Sequence, residues 1–412
     1  MPPRTLLVTL VGRDRPGVTA ALFAALQGFD VEVVDVEQVV IRGRLVLGVL
    51  LGVAPGGAAG GPAGEAALRR TVEETAGALG LEAEVSAGHG DEGRRRGTLL
   101  VTVLGSPLRP DAVAGVAGCL AGCGANIDRI VRLARYPVTC IELEVSGADP
   151  QQLREALAAE AAAARVDVAV QPGGLQRRAK RLVVLDVDST LIQDEVIELL
   201  AERAGCAAEV RRVTEAAMRG ELDFAASLRA RVGLLAGLDA AVLEEVRGAV
   251  RLAPGARTFV RTLKRLGYQL AIVSGGFIQV TDGLAAELGV DYAAANTLEV
   301  VDGRLTGRVV GEVLDRAGKA RALERFAALA GVPLAQTVAV GDGANDLDMV
   351  TRAGLGVAFN AKPVLRAAAD AAVNVPYLDA VLYLLGISRE EVEAADAAEG
   401  LPPGPSDPRM TR

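Results

Sequence analysis

Two carboxylates, Asp186 and Asp188, stand two residues apart in the run Asp186-Val187-Asp188-Ser189-Thr190-Leu191, directly after the apolar stretch 182–185. If that stretch is a parallel strand, both acids lie at its carboxyl end, where open α/β sheets bind ligands. A carboxylate there can attack phosphorus, and a second one pointing elsewhere can protonate the departing alkoxide and later take a proton from water. Two negative groups facing a phosphate would repel it, so this chemistry requires a divalent cation and local positive charge. Taken alone, the hexapeptide reads more readily as a turn with solvated Asp and Ser.

Three further runs supply what the first lacks. Ser274-Gly275-Gly276 follows the apolar run 270–273 and offers a hydroxyl and unhindered backbone N–H groups to phosphate oxygens. Lys319 opens a helical stretch over 319–329, which puts an ammonium at a helix N-terminus, where acids are the usual choice. That local misfit favours a function. Gly341-Asp342-Gly343-Ala344-Asn345-Asp346 follows the apolar run 337–340 and brings the oxygen ligands that a hard ion such as magnesium prefers. Each run is weak by itself; four of them, in this order on four strand ends, make a strong signal.

The elements that must position these residues are legible as alternating strands and helices from residue 181 to 390. The expected fold class is α/β, with a doubly wound, Rossmann-like parallel sheet whose strands are 182–185, 270–273, 337–340 and 356–359. Residues of about 194–250 have helical periodicity and no strand, so they read as a helical cap, placed to act as a lid. Upstream lies an internal repeat: Thr5-Leu6-Leu7-Val8-Thr9 is echoed by Thr98-Leu99-Leu100-Val101-Thr102, and the two runs reach Gly12 and Gly105 at the same distance. Each copy reads strand, helix, two strands, helix, strand, the ferredoxin-like βαββαβ order, over residues 1–90 and 96–172. A tail over 394–412 lacks apolar periodicity and is expected to be disordered.

Composition narrows the classes. The chain has 412 residues, half of them hydrophobic, and a net charge of -8, so nothing gathers nucleic acid or an anionic membrane surface. No apolar run is long enough to span a bilayer and no signal-peptide pattern opens the chain, which points to a soluble protein and excludes a membrane pump working through an aspartyl phosphate. Four cysteines, Cys119, Cys123, Cys140 and Cys206, make no disulfide framework, and with His89 the only histidine they complete no zinc set. They read as small core residues in a cytoplasmic protein.

Asp-x-Asp-x-Thr, then Ser, then Lys, then Gly-Asp-Gly-x-Asn-Asp resembles the haloacid dehalogenase superfamily of phosphoryl-transfer enzymes, from about residue 181 to 385. The resemblance implies Asp186 as nucleophile, Asp188 as acid and base and as a metal contact through its carbonyl, and Asp342 as third magnesium ligand. It also implies that Ser274 and Lys319 hold the phosphoryl group. Met218, Asp223-Phe224, Ser227-Leu228-Arg229-Ala230-Arg231-Val232 and Glu195 narrow the likeness to the phosphoserine phosphatases. In that family the residue matching Glu195 faces the substrate ammonium, that matching Arg231 grips its carboxylate, and Gly275 and Asn345 line the site. A Glu and a forked Arg do match a free amino acid's cation and planar anion, and Phe224 and Met218 would exclude water under a closed lid.

The implied reaction is magnesium-dependent hydrolysis of phosphoserine, the last step of serine biosynthesis. A phosphotransferase to another alcohol such as homoserine, a phosphatase for another small phosphate, and an inert amino-acid-binding regulator are the rival readings. The two N-terminal copies resemble ACT domains, small-molecule sensors. In the first, Gly12-Arg13-Asp14-Arg15-Pro16-Gly17-Val18 is similar to that family's ligand-contacting turn, so Asp14 and Gly17 are candidates for an amino-acid effector. The second copy has Pro107 and Pro110 at the matching places and keeps neither. A homodimer is the expected assembly.

Overall fold

A computed structural model of the chain describes residues 4–54, 61–89, 99–219 and 221–402. The chain divides into two units, Met1–Arg95 and Arg96–Arg412.

Alternation builds the first unit. Strands β1 (Arg4–Arg13), β2 (Val31–Ile41), β3 (Arg44–Val53) and β4 (Leu81–His89) form an antiparallel sheet in the order β2-β3-β1-β4. Every second residue of β3, from Leu45 through Leu47, Val49 and Leu51 to Val53, is buried. They share one core with Leu22 of the helix Val18–Leu26 and Leu68 and Val72 of the helix Pro62–Ala78, as a sheet with one covered face requires. The βαββαβ order expected from the sequence is present. Arg42 and Gly43 turn the β2–β3 hairpin with φ of 50° and 73°, the left-handed pair that matches the twist of two antiparallel strands. β2 is an edge strand, exposed along nearly its whole length.

The second unit carries one continuous sheet. The second βαββαβ copy supplies β5 (Leu99–Gly105), β6 (Asn126–Ala134), β7 (Thr139–Ser146) and β8 (Asp167–Pro172). The α/β part supplies β9 (Leu182–Asp186), β10 (Gln269–Phe277), β11 (Tyr292–Val301), β12 (Arg304–Val310), β13 (Thr337–Gly341), β14 (Gly356–Phe359) and β15 (Ala371–Val373). The order is β12-β11-β10-β9-β13-β14-β15-β8-β5-β7-β6. β8 meets β15 at Ala169 and Ala371, so the second copy is joined edge to edge to the α/β sheet. Buried polar groups seal the joint: Asp167 accepts from the Asn374 backbone N (2.6 Å) and Nδ2 (2.5 Å), and Gln171 Nε2 donates to the Leu384 carbonyl (3.0 Å). Arg177 pairs with Glu142 at 2.5 Å and donates to the carbonyls of Leu384 and Tyr383. Cys140, Leu104 and Ala169 belong to the same apolar core as β9.

Both faces of the parallel part are covered. Leu182 and Val184 of β9 face Leu323 and Phe326 of the helix Arg316–Ala330, while Val183 and Leu185 enter the opposite core; this is why the strand reads as an unbroken apolar run. β9 has β10 on one side and β13 on the other. The sheet therefore changes direction at the carboxyl end of β9, the crevice where such sheets bind ligands.

Residues 194–250 hold the cap helices Val196–Ala204, Ala207–Met218, Phe224–Gly233 and Val242–Ala249. The β11–β12 hairpin, turned by Asp302 and Gly303, is a feature that the sequence reading does not contain. It is stitched to the cap by Gly237 N to Leu305 O (2.8 Å), Leu305 N to Leu238 O (2.9 Å) and Ala240 N to Gly303 O (2.8 Å). The disorder expected from residue 394 does not begin there, because the helix Arg389–Ala398 runs through it. Arg261 and Arg265 hold Asp396, and Arg265 also holds Glu399; a helix fixed by ion pairs leaves little apolar periodicity to read. Residues 403–412 of the expected tail lie outside the described residues. Among the described residues the four cysteines are unpaired, and no helix is long and apolar enough to cross a membrane.

Candidate active site

Asp186 ends β9 with only 2% of its surface exposed. The chain then turns sharply through residues 187–191, with Ser189 at φ 58°, a left-handed conformation that is strained for a residue with a Cβ and is found preferentially at functional sites. The turn sends the two acids apart. Asp188 Oδ1 accepts from the Val196 backbone N (2.8 Å) at the start of the cap, and Oδ2 accepts from Ser274 Oγ (2.8 Å). Ser274 Oγ in turn accepts from Gly276 N at 2.7 Å. A Cβ on Gly276 would stand 2.9 Å from that Oγ and 3.1 Å from Asp188 Oδ2, so only glycine permits this approach.

Lys319 is fully buried, its Nζ 2.5 Å from Asp186 Oδ1 and 2.6 Å from Asp346 Oδ1. Its helix is fixed at the start by Asp315, whose side chain accepts from Gly318 N at 2.7 Å, a regular N-cap. Asp346, equally buried, turns its other oxygen to the backbone N of Asp342 (3.2 Å) and Gly343 (3.0 Å). Gly341 makes room for it, since a Cβ there would meet Asp346 at 2.5 Å. The sequence reading gives Asp346 no role, although it stands in the run that supplies Asp342. Its signal was an acid in a glycine-rich strand-end loop; its partner, Lys319, lies far off in the chain.

Carboxylate oxygens of Asp186, Asp342 and Asp346 lie within 4.8 Å of one another. Burial, and after it the charge of Asp346, pushes the Asp186 carboxyl well above its ordinary value and that of Asp342 to about 6. Burial alone would lower Lys319, but Asp186 and Asp346 outweigh it and hold the ammonium above its usual range. An all-oxygen cluster with more negative charge than Lys319 can balance suits a hard divalent cation. Asp346 already spends its oxygens on Lys319 and two backbone N–H groups, which leaves Asp186 and Asp342 as the freer side-chain ligands.

Glu195 and Arg231, expected at the substrate end, lie near enough to Asp188 to feel its charge. Glu195 Oε1 accepts from Ser189 Oγ at 2.8 Å, and burial, followed by the Asp188 charge, raises its carboxyl to about 7. Arg231 is lowered by burial, with Glu195 and Asp188 the charges that oppose the shift; its Nε donates to the Ser227 carbonyl at 3.4 Å. Phe224 presses over the Ser274–Gly276 segment, with its ring edge 3.3 Å from where a Gly275 Cβ would be. Asn345 lies against Gly343. The side chain of Met218 lies outside the described residues. Asp14 and Gly17 belong to the first unit: Gly17, at φ 94°, opens the helix Val18–Leu26, and its turn lines a cavity of about 350 Å³ with Thr19, Gln38 and Leu45.

The raised Glu195 carboxyl sets a pH expectation. If it faces an ammonium group, KM rises as pH falls through about 7, because protonation removes the charge that attracts the ligand. Glu195→Gln is expected to have a KM higher by about 10- to 100-fold and to lose that limb of the profile. Parallel KM profiles for variant and wild type would assign the limb to another group.

Residues 183–351 match the family model of haloacid dehalogenase-like hydrolases, and residues 4–86 and 97–171 each match an ACT domain model. A phosphoserine phosphatase of Streptomyces coelicolor is 64% identical over 98% of this chain and 98% of its own. One of Mycobacterium tuberculosis is 52% identical over 96% of each. Among solved structures, an unliganded probable phosphoserine phosphatase from Vibrio cholerae has a TM-score of 0.56 at 36% identity, covering 74% of this chain and 90% of that one.

Proposed function

The chain belongs to the phosphoserine phosphatase family of haloacid dehalogenase-like hydrolases, and from that premise we propose that it hydrolyses O-phospho-L-serine to serine and phosphate through an aspartyl phosphate on Asp186. The observation that carries this mechanism is the meeting of three strand ends with the start of the helix Arg316–Ala330, where Lys319 stands between Asp186 and Asp346 and Ser274 is bonded to Asp188.

Arg231 and Glu195 take the carboxylate and ammonium of the substrate, and Phe224 closes over it. The Ser274 hydroxyl, the backbone at Gly275 and the Lys319 ammonium hold the phosphoryl oxygens, beside Asn345. Asp186 attacks phosphorus; as its bond to the serine oxygen breaks, that oxygen takes the electron pair and a proton from Asp188. Asp188 then draws a proton from water, whose oxygen attacks phosphorus and frees the Asp186 carboxylate with phosphate. Asp186, Asp342 and the carbonyl of Asp188 would hold magnesium, which would supply positive charge to offset that of the acids and the phosphoryl group. Donors already aimed at the transferring group supply much of the rate.

Phosphate release from a panel of phosphorylated metabolites, with magnesium and with chelator, tests the reading. Phosphoserine is expected to be preferred and turnover to vanish with chelator. Preference for another phosphate, transfer to added homoserine, or no turnover at all would move the assignment to one of the rival functions.

The regulatory reading rests on the first unit, where the Asp14–Gly17 turn and its cavity suit a small amino acid such as serine. The homodimer rests on β2, a valine-rich edge strand whose Ile41 is 67% exposed and whose free backbone is a template for a second copy. On the full chain, sedimentation is expected to give a dimer that Val36→Lys dissociates, and calorimetry a serine heat that Asp14→Ala reduces to the part due to the catalytic pocket. A monomeric wild type ends the first reading; absence of heat with serine or any other amino acid ends the second. Unpaired cysteines and a metabolite substrate support a cytoplasmic site, which cell fractionation checks.

A further inference from the structure

The phosphate loop leaves its sheet at the point where it must be held most firmly. β10 and β11 pair in parallel at Ala271 with Tyr292, Ile272 with Ala293 and Val273 with Ala294; the register then breaks and resumes only at Phe277 with Asn296. Ser274, Gly275 and Gly276 thus bulge out of the ladder. Ser274 is anchored through Asp188 and Gly276, but the Gly275 carbonyl has lost its regular partner. The side chain of Asn296, 2% exposed, replaces it: Nδ2 donates to the Gly275 carbonyl at 2.9 Å. Its Oδ1 accepts from Leu314 N at 2.7 Å, one residue before Asp315, the cap of the Lys319 helix.

A buried asparagine with both ends bonded is most simply a satisfied core residue. Here, however, both partners are backbone groups of segments that carry phosphate-binding residues, and they lie in different parts of the chain. An apolar residue at 296 would leave a carbonyl and an amide unpaired in the interior, at a cost that loosens both segments. We propose that Asn296 is a positioning residue for phosphoryl transfer: its amide ties the Gly275 loop to the start of the Lys319 helix and so sets the spacing of the donors around the phosphoryl group. The role rests on the phosphatase reading, and it is separate from recognition of the amino-acid end, which Glu195 and Arg231 perform.

Asn296→Asp keeps an acceptor for Leu314 N and sets an oxygen against the Gly275 carbonyl; Asn296→Ser shortens the link. For the purified full chain, kcat for phosphoserine is expected to fall about 10- to 100-fold in both, and inhibition by orthovanadate, which mimics the five-coordinate phosphorus, to weaken by a similar factor. Inhibition by L-serine, measured with Asp14→Ala in the same chain so that only the catalytic pocket responds, is expected to stay unchanged. Vanadate inhibition equal to wild type, or vanadate and serine weakening together as in a general loosening, would overturn the proposal. If one variant does not fold, the other decides. Should the wild type prefer a different phosphomonoester, kcat is read on that one, so a wrong substrate leaves the comparison intact.

Discussion

Asp186→Asn is expected to lower kcat by more than about 1,000-fold while leaving the fold as stable as the wild type or more so. In the proposed mechanism Asp186 is the nucleophile; an amide cannot form the acyl phosphate, and loss of a nucleophile costs a factor of this order or larger. Stability moves the other way because of where the carboxylate sits. Burial and the Asp346 charge raise the Asp186 carboxyl well above its ordinary value, so its ionised form is one that folding disfavours. A group raised in this way contributes stability below its unfolded pKa and loses it as pH rises. Asparagine keeps the shape without the charge, and Lys319 retains Asp346. Phosphate release with magnesium and thermal unfolding with chelator read the two effects separately. Turnover within tenfold of wild type would remove Asp186 as nucleophile; a lower melting temperature would show that its charge supports the fold.

Lys319→Met is expected to damage both properties. The ammonium is fully buried between two carboxylates, and removing one partner of such a set typically costs about 3–5 kcal/mol because the remaining charge is left uncompensated. In the proposed mechanism Lys319 also donates to the transferring phosphoryl group, so kcat is expected to fall by about 100- to 1,000-fold. The sign of the pH dependence follows. Without Lys319 the Asp186 carboxyl rises further, so the stability deficit is largest at alkaline pH and shrinks as pH falls and the carboxyl takes up a proton. Urea unfolding at about pH 8 and pH 5 measures it, and Asp346→Asn in the same chain is expected to restore stability without restoring turnover. A Lys319→Met chain as stable as wild type at the higher pH would mean that the acids do not depend on it.

Much of this architecture is written in local pattern. The two βαββαβ copies are legible because β1 and β3 alternate and their helices repeat apolar residues on one face. β9 and β13 are legible as unbroken apolar runs, because both faces of the sheet are covered. Other features arise only when the chain is folded. Asp346 becomes important through Lys319, 27 residues away, and Asn296 through two loops that it does not adjoin. The junction of β8 with β15 is a single bridged pair surrounded by side-chain bonds, which leaves no sequence period to read. The β11–β12 hairpin did carry a signal in Asp302-Gly303, a dipeptide suited to a two-residue turn.

The fused sheet makes the two ACT copies unequal in what the enzyme could lose. Cutting before residue 96 would take away a unit with its own core. Cutting at residue 181 would bare the backbone edge of β15 and strip Asn374 and the Leu384 carbonyl of their buried partners. The second copy has become masonry of the catalytic body rather than an appended module, and any strain placed on it reaches the phosphatase sheet without a linker to cross.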